Sequence, residues 1–127
     1  MTRQAISTTN APAAVGPYSQ AIVAGEFVFC AGQGAIDATT GDILSGTVEE
    51  ETERTLRNLG AVLDAAGVGF ADVVKTTVFL ADIDDFVAMN GVYTKFFPDP
   101  PPARTTVAVK ALPKGFKVEI EAIARRP

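Results

Sequence analysis

The chain has 127 residues, of which 47% are hydrophobic and 20% are charged, as in an ordinary globular protein. It contains no histidine and one cysteine, Cys30, which excludes an internal disulfide, a typical zinc site and the Ser-His-Asp and Cys-His catalytic arrangements. A formal net charge of −4 disfavours binding to a nucleic-acid backbone. Chemistry in this protein therefore has to use arginine, lysine, carboxylates, hydroxyl groups, backbone groups and water.

The length of the chain suits one hydrophobic core, and we expect residues 1–127 to form a single domain. No run of about 18 apolar residues is present, so no transmembrane helix is expected. The first ten residues lack the apolar core of a secretion signal. Together with the single cysteine, these features predict a cytoplasmic protein that does not associate with membranes.

The first third of the chain predicts three strands and a loop. A short strand is expected near residues 4–7, and residues 19–31 predict a hairpin that turns at Gly25-Glu26. A loop rich in glycine and threonine follows from residue 32 to residue 46, with its tip at residues 39–42.

Two segments predict helices. The first begins at Thr47, which has capping-box spacing to Glu50, and ends at Gly67. The second begins at about Asp84 and is stopped by Pro98. Its expected buried stripe consists of Phe86, Met89, Tyr93, Phe96 and Phe97.

Three further strands are expected at residues 73–80, 104–109 and 116–124. Three prolines at 100–102 form a stiff, extended connector, and a loop around Pro113 joins the last two strands as a hairpin. The element order is β-β-β-α-β-α-β-β, which predicts an α+β fold with two helices on one face of a sheet.

Side-chain alternation assigns the last two strands to faces. Val107 is expected on the apolar face under the helices, while Arg104, Thr106 and Glu119 are expected on the opposite, open face. An open face of this kind is typical either of a subunit interface that encloses a polar site or of a solvated surface. The pattern alone leaves both alternatives open.

Six segments are similar, in order, to motifs of a known family. They are residues 10–20 (NAPAAVGPYSQ), 31–33 (AGQ), 74–80 (VKTTVFL), Asp85-Phe86 with Asn90 and Tyr93, 102–104 (PAR) and 118–124 (VEIEAIA). From end to end the chain resembles the RidA/YjgF/liver perchloric-acid-soluble protein family. The resemblance implies a chorismate-mutase-like mixed sheet and a homotrimer with three clefts between subunits.

The resemblance also implies an activity. Family members of this type hydrolyse 2-aminoacrylate-like enamines and 2-imino acids to 2-keto acids and ammonia, without metal or cofactor, and so protect pyridoxal-phosphate enzymes. The expected partner is a small carboxylate substrate.

The resemblance assigns roles to six positions. Arg104 clamps the substrate carboxylate, and its charge and two-pronged geometry suit that task. Glu119 holds the attacking water, Tyr18 forms a wall of the cleft, and Gly32 lets the ligand approach the backbone. The two remaining positions, Ala31 and Thr106, also line the pocket, where many members have serine and cysteine. An activity with altered substrate preference is one consequence of these replacements, and a slow enzyme is another.

Each assignment has a simpler alternative. Arg104 would otherwise form a surface or interface ion pair, Glu119 would belong to a solvated charged face, and Tyr18 would be structural. At the level of function the alternatives are a 2-aminomuconate-type deaminase in a catabolic pathway and a non-catalytic trimer that binds small carboxylate metabolites. Ribonuclease activity, described for some members, is disfavoured by the acidic charge and the absence of histidine.

Overall fold

A computed structural model describes residues 2–127 of the chain and contains six strands and two α-helices. The strands are β1 (Arg3–Ile6), β2 (Ala21–Ala24), β3 (Phe27–Gln33), β4 (Val73–Leu80), β5 (Ala103–Ala108) and β6 (Val118–Arg125). The helices are α1 (Val48–Ala65) and α2 (Phe86–Tyr93). In the described part of the chain, no helix is long and apolar enough to cross a membrane.

The six strands form one mixed sheet in the order β1-β2-β3-β6-β4-β5. All neighbouring strands are antiparallel except β4 and β5, which are parallel. The expected hairpin between the last two strands is therefore wrong, because β4 lies between β5 and β6. The segment β4-α2-β5 is a strand–helix–strand unit, and such a crossover returns the chain parallel to the strand it left.

The predicted hairpin and the first helix are confirmed. Gly25 turns between β2 and β3 with φ 62°, a conformation that costs glycine little. Thr47 and Glu50 form the reciprocal hydrogen bonds of a capping box at the start of α1.

The helices cover one face of the sheet, as predicted, and the core lies between the two layers. The largest side chains that are fully buried come from α1, α2 and the covered face of the strands. They include Leu56, Leu59, Leu63, Leu80, Met89 and Ile120. Burial of this apolar area is the main contribution to the stability of the fold.

Helix α2 ends earlier than the sequence predicts. It stops at Tyr93, and the chain turns through residues 94–96 before Pro98 is reached. This turn brings the ring of Phe97 onto the ring of Tyr93, with 4.4 Å between their centroids. The aromatic residues that looked like a continuing helical stripe therefore pack through a turn, which favours the shorter helix.

The face assignment of β5 is wrong. Arg104 pairs with Thr76 of β4, and Thr76 is fully buried under the helices. Arg104 and Thr106 therefore point to the helix side, while Val107 is 39% exposed on the open side. Glu119 pairs with Phe79 on the open side, as predicted, so it does not share a face with Arg104.

Candidate functional site

A cavity of about 530 Å³ lies between the N-terminal segment, the loop that follows β3 and the turn before β6. Three of the predicted site residues, Tyr18, Gly32 and Glu119, line it together. Apolar side chains, including Val15, Ile36 and Phe116, form much of the remaining wall. The cavity therefore combines one carboxylate with a largely apolar surround, which is typical of a small-molecule site.

Glu119 and Gly32 are in close contact across β6 and β3. A Cβ atom added to Gly32 would lie 2.8 Å from Oε2 of Glu119, so any other residue at position 32 would displace this carboxylate. The register of the two strands shifts between Cys30 and Gln33, which places Gly32 within an irregular stretch of the ladder. The backbone at Gly32 is accordingly accessible beside the carboxylate.

Burial within the cavity wall raises the pKa of Glu119 above its ordinary value of 4.5, and the neighbouring charge of Glu121 raises it further. Desolvation disfavours the ionised carboxylate because fewer water molecules solvate it. A carboxyl group with a raised pKa exchanges protons more readily near neutral pH than an ordinary glutamate does. Glu119 is therefore suited to act as a general base and acid.

Tyr18 stands at the mouth of the cavity and is 52% exposed. Its backbone N–H donates to the carbonyl of Gly16 at 2.8 Å, so the Gly-Pro turn fixes its position. The segment before it is held by Gln20, whose buried side-chain amide donates to the carbonyl of Pro12 at 2.8 Å. The structural role of Gln20 was not predicted, although its place within the Asn10–Gln20 motif gave a signal.

Arg104 lies in a second cluster, on the other face of the sheet. Its guanidinium carbon is 4.7 Å from the centroid of the Tyr93 ring and 5.5 Å from that of the Phe86 ring. These distances are those of cation–π contacts. The hydroxyl groups of Tyr93 and Thr76 share a buried hydrogen bond of 2.7 Å, which fixes the ring beneath the guanidinium. Burial raises the pKa of Tyr93, so its hydroxyl group stays protonated.

Two buried polar atoms lie on β5 and α2, the strand and the helix that carry Arg104 and its aromatic contacts. Oγ1 of Thr106 on β5 and Oδ1 of Asn90 on α2 are buried, and neither has a hydrogen-bond partner within residues 2–127. Asn90 lies on the helix face shared by Phe86 and Tyr93, the residues that Arg104 contacts. Buried polar atoms are normally hydrogen-bonded, so these two atoms are free to bond a water molecule, a ligand or another subunit.

The structure does not bring Arg104 and Glu119 together within one chain. Arg104 is level with Thr76 and, beyond it, with Ala122 of β6. Glu119 is on the opposite face of β6, two strands from β5, so about 10 Å of sheet separates the strands that carry them. The chain contains two half-sites, one around Glu119 and one around Arg104.

Ala31 belongs to neither cluster: its backbone N–H donates to the carbonyl of Gln20 at 2.9 Å within the hairpin. Cys30, beside it, is buried, and burial raises the pKa of its thiol to about 12. Cys30 is therefore an inert core residue, as predicted. Among the described residues, no group of three or more Cys, Asp or Glu side chains is arranged to hold a metal ion.

Comparisons with known proteins agree with the motifs. A family model described as endoribonuclease L-PSP matches residues 8–126. A RutC family protein of Pyrococcus horikoshii is 50% identical over 122 residues, which are 96% of this chain and 97% of that protein. The 2-iminobutanoate/2-iminopropanoate deaminase of Homo sapiens is 48% identical over 96% of this chain and 89% of its own length.

Solved structures match equally well. A putative endoribonuclease from Thermotoga maritima is 49% identical with a TM-score of 0.95, and 98% of each chain is covered. The E. coli protein TdcF, solved with bound serine, is 41% identical with a TM-score of 0.92 over 98% of this chain and 99% of its own. Because sequence and fold agree along almost the whole length, this chain belongs to the endoribonuclease L-PSP family, which is the RidA/YjgF family that its motifs resemble.

Proposed function

We propose that this protein is a cofactor-free 2-iminobutanoate/2-iminopropanoate deaminase that works as a homotrimer, with each active site formed between two subunits. The main support is the division of the site. The cavity of one subunit supplies Glu119, Tyr18 and Gly32, and the β5 edge of the next supplies Arg104 and Thr106. Relatives at 48–50% identity carry the name of this enzyme.

Exposed apolar surface supports the assembly. Phe29 is 45% exposed and Val107 is 39% exposed on the uncovered face of the sheet, and β5 has an unpaired edge. A small domain benefits from burying such surface against another subunit, and an open strand edge also favours association. A ring of three copies with head-to-tail contacts would bring the β5 edge of each copy to the cavity of its neighbour.

In the proposed reaction the guanidinium of Arg104 binds the substrate carboxylate through two parallel hydrogen bonds. Within residues 2–127 no salt bridge occupies Arg104, so its donors are available to a ligand. Backbone groups beside Gly32 and Thr106 orient the imine, and Tyr18 forms the side wall. This arrangement presents C2 of the substrate to a water molecule held by Glu119.

Hydrolysis then needs one addition and one elimination. Water oxygen bonds to C2, the π electrons of the C=N bond move to nitrogen, and Glu119 takes a proton from the water and delivers it to nitrogen. In the resulting carbinolamine Glu119 accepts the hydroxyl proton and passes it to the amine nitrogen. The C–N bond then breaks as the C=O bond forms, and its electron pair leaves with nitrogen as ammonia. No electrons are exchanged with another molecule, so the step needs no redox partner. Positioning and one proton shuttle contribute the acceleration.

Thr106 and Ala31, which stand where many family members have cysteine and serine, affect this site unequally. Thr106 carries a buried hydroxyl group without a partner within residues 2–127, so it is available to hydrogen-bond a ligand or a neighbouring subunit. Ala31 supplies no hydroxyl group, and its backbone N–H already donates to the carbonyl of Gln20. We therefore infer an active enzyme in which the backbone beside Gly32, rather than a side chain at position 31, orients the substrate.

The experiment that tests the function uses three variants of the assembled protein. Arg104→Ala removes a charge-assisted bond worth roughly 1.5–3 kcal/mol, so kcat/KM for 2-iminobutanoate should fall at least about tenfold to 150-fold. Arg104→Lys should restore part of the loss, because it keeps the charge without the planar fork. Glu119→Gln should lower kcat and leave the affinity for 2-oxobutanoate unchanged.

The substrate can be generated in situ from threonine with a dehydratase, and release of the keto acid can be followed. Near-normal turnover by a folded Arg104→Ala protein would overturn the proposed site. Binding of 2-oxobutanoate without any turnover would instead favour the non-catalytic carboxylate-binding alternative. Cleavage of RNA by the wild type, lost in Glu119→Gln, would favour the activity for which the family model is named.

A further inference from the structure

We propose that Lys114 forms a second anion-binding subsite in the Glu119 cavity, and that the enzyme prefers 2-imino acids whose side chain ends in a second carboxylate. The inference rests on the proposed function, since it places Arg104 of the neighbouring subunit at the first carboxylate. It depends on the size of the cavity, the position of Lys114 and the absence of a carboxylate partner for Lys114 within residues 2–127.

The cavity of a single subunit is large for a three- or four-carbon substrate. Before the β5 edge of the neighbouring subunit closes it, its volume of about 530 Å³ lies in the range that holds drug-sized ligands. Besides Glu119, the loop tip at residues 39–41 and the turn at residues 113–114 line the same cavity. A substrate bound in this cavity would therefore have Lys114 as well as Glu119 among its neighbours.

The backbone places Lys114 in the wall of the cavity. It adopts φ 58° between Pro113 and Gly115, and Gly115 itself has φ 74°. A left-handed conformation is uncommon for lysine and costs of the order of 1–3 kcal/mol unless neighbouring residues impose it. Here proline before it and glycine after it fix the turn, so the base of the Lys114 side chain has a defined position beside the cavity.

The ammonium group of Lys114 is available to a ligand. Of the described residues that line the cavity, Lys114 is the one cation and Glu119 the one anion. Within residues 2–127 no carboxylate lies within salt-bridge distance of Lys114. The carboxylate of Asp37 accepts the backbone N–H groups of Thr39 and Thr40 at 2.8 and 3.0 Å, and so it is engaged within its own loop.

A second carboxylate on the substrate would give Lys114 an anionic partner. In the assembled site Arg104 of the neighbouring subunit would bind the first carboxylate, and the carboxylate of Glu119 would hold the attacking water. A monocarboxylate would therefore leave Lys114 without a counter-ion. A side chain that ends in a second carboxylate would pair with Lys114, and the hydroxyl group of Thr39 on the same cavity wall could donate to it.

The test compares two imines that differ in charge alone. L-glutamate and L-glutamine, oxidised in situ by suitable amino-acid oxidases, give 2-imino acids with a terminal carboxylate and its neutral amide isostere. For the wild-type trimer, kcat/KM should be about two- to fivefold higher for the glutamate-derived imine, which is the range expected for a partly exposed ion pair. In Lys114→Gln this ratio should fall to about one, while kcat/KM for 2-iminobutanoate stays at the wild-type level.

Lys110→Gln is the matched control, because it removes the same charge from an exposed position on the same β5–β6 connection, outside the cavity. It should leave the ratio unchanged. A wild-type ratio of one, or an equal ratio in wild type and Lys114→Gln, would overturn the subsite. If Lys114→Gln also abolished turnover of 2-iminobutanoate, Lys114 would bind the first carboxylate, and both the subsite and the role of Arg104 would be wrong.

A binding experiment distinguishes failure of the proposed subsite from failure of the proposed deaminase activity. Calorimetry with 2-oxoglutarate and 2-oxopentanoate measures the same discrimination without chemistry. If no imine is turned over, tighter binding of 2-oxoglutarate that is lost in Lys114→Gln would still support the subsite and overturn only the deaminase. Equal binding of both keto acids by both proteins would overturn the subsite.

Discussion

Glu119 is the residue whose environment most directly predicts a measurable chemical property. Burial and the charge of Glu121 both raise its pKa above 4.5. In the proposed reaction the ionised form takes a proton from water, so activity should fall as the pH drops through the raised pKa. The acidic limb of the kcat/KM profile is therefore expected at a higher pH than an ordinary glutamate would give.

The contribution of Glu121 can be removed separately. Glu121→Gln eliminates a negative charge that disfavours ionisation of Glu119, so the pKa of Glu119 should fall and the acidic limb should move to lower pH. Glu49→Gln, an exposed change at the first turn of α1, provides the control and should leave the limb in place. A limb that moves to higher pH in Glu121→Gln, or one that does not respond, would contradict the assignment of this limb to Glu119.

At the scale of elements, α2 holds Arg104 of β5 in position through two aromatic rings. Replacing Phe86 with Leu removes one cation–π contact, and Tyr93→Phe keeps the ring but breaks the 2.7 Å hydrogen bond to Thr76. Each change should raise KM for 2-iminobutanoate about two- to fivefold, because a cation–π contact contributes about 0.5–1 kcal/mol and a hydrogen bond a similar amount. Since neither ring touches the reacting carbon in the proposed site, kcat should remain near the wild-type value.

Met89→Ala distinguishes this positioning role from a general loss of stability. Met89 is fully buried on the same helix, so its truncation should lower the free energy of unfolding by about 2–5 kcal/mol without changing KM. Steady-state kinetics and thermal unfolding of all three variants decide the matter. A KM that follows stability across the three variants, with no separate effect of Phe86 and Tyr93, would show that the rings are merely structural.

Short-range patterns in the sequence correctly predicted the β2–β3 turn, the start of α1 and the bounds of β4. Gly25 specified the β2–β3 turn, the Thr47–Glu50 spacing specified the start of α1, and β4 was predicted with the bounds that the structure shows. Each of these features depends on residues only a few positions apart, whose conformational preferences act directly on the backbone.

Pairing between distant strands was not predictable from the same patterns. The insertion of β6 between β3 and β4 depends on contacts far apart in sequence, and the chain folds β5 parallel to β4 through α2. Alternation identified which residues of β5 share a face, but not which face the helices cover. For this reason Glu119 was placed on the correct face and Arg104 on the wrong one. The resemblance implied that both residues belong to a cleft between subunits, and the structure places them on opposite faces of the sheet within one chain.

At the scale of the whole molecule, that separation is the central observation. A carboxyl group with a raised pKa lies in one cavity, and an arginine without a carboxylate partner within residues 2–127 lies on the other side of the sheet. Neither half-site can carry out the proposed hydrolysis alone. In the proposed trimer, assembly would therefore be a requirement for catalysis as well as a source of stability, and dissociation of the subunits is expected to abolish activity.

Complementation between two inactive variants tests this directly. Arg104→Ala and Glu119→Gln are co-expressed with different tags, and trimers that carry both tags are isolated by two successive affinity steps. In a head-to-tail ring, any trimer that contains both variants has one junction at which an intact Glu119 cavity meets an intact Arg104. Each mixed trimer should therefore recover about one third of the wild-type kcat, with a wild-type KM. Doubly tagged trimers of a single variant should keep only that variant's residual activity, whereas mixed trimers no more active than these would contradict a site shared between subunits.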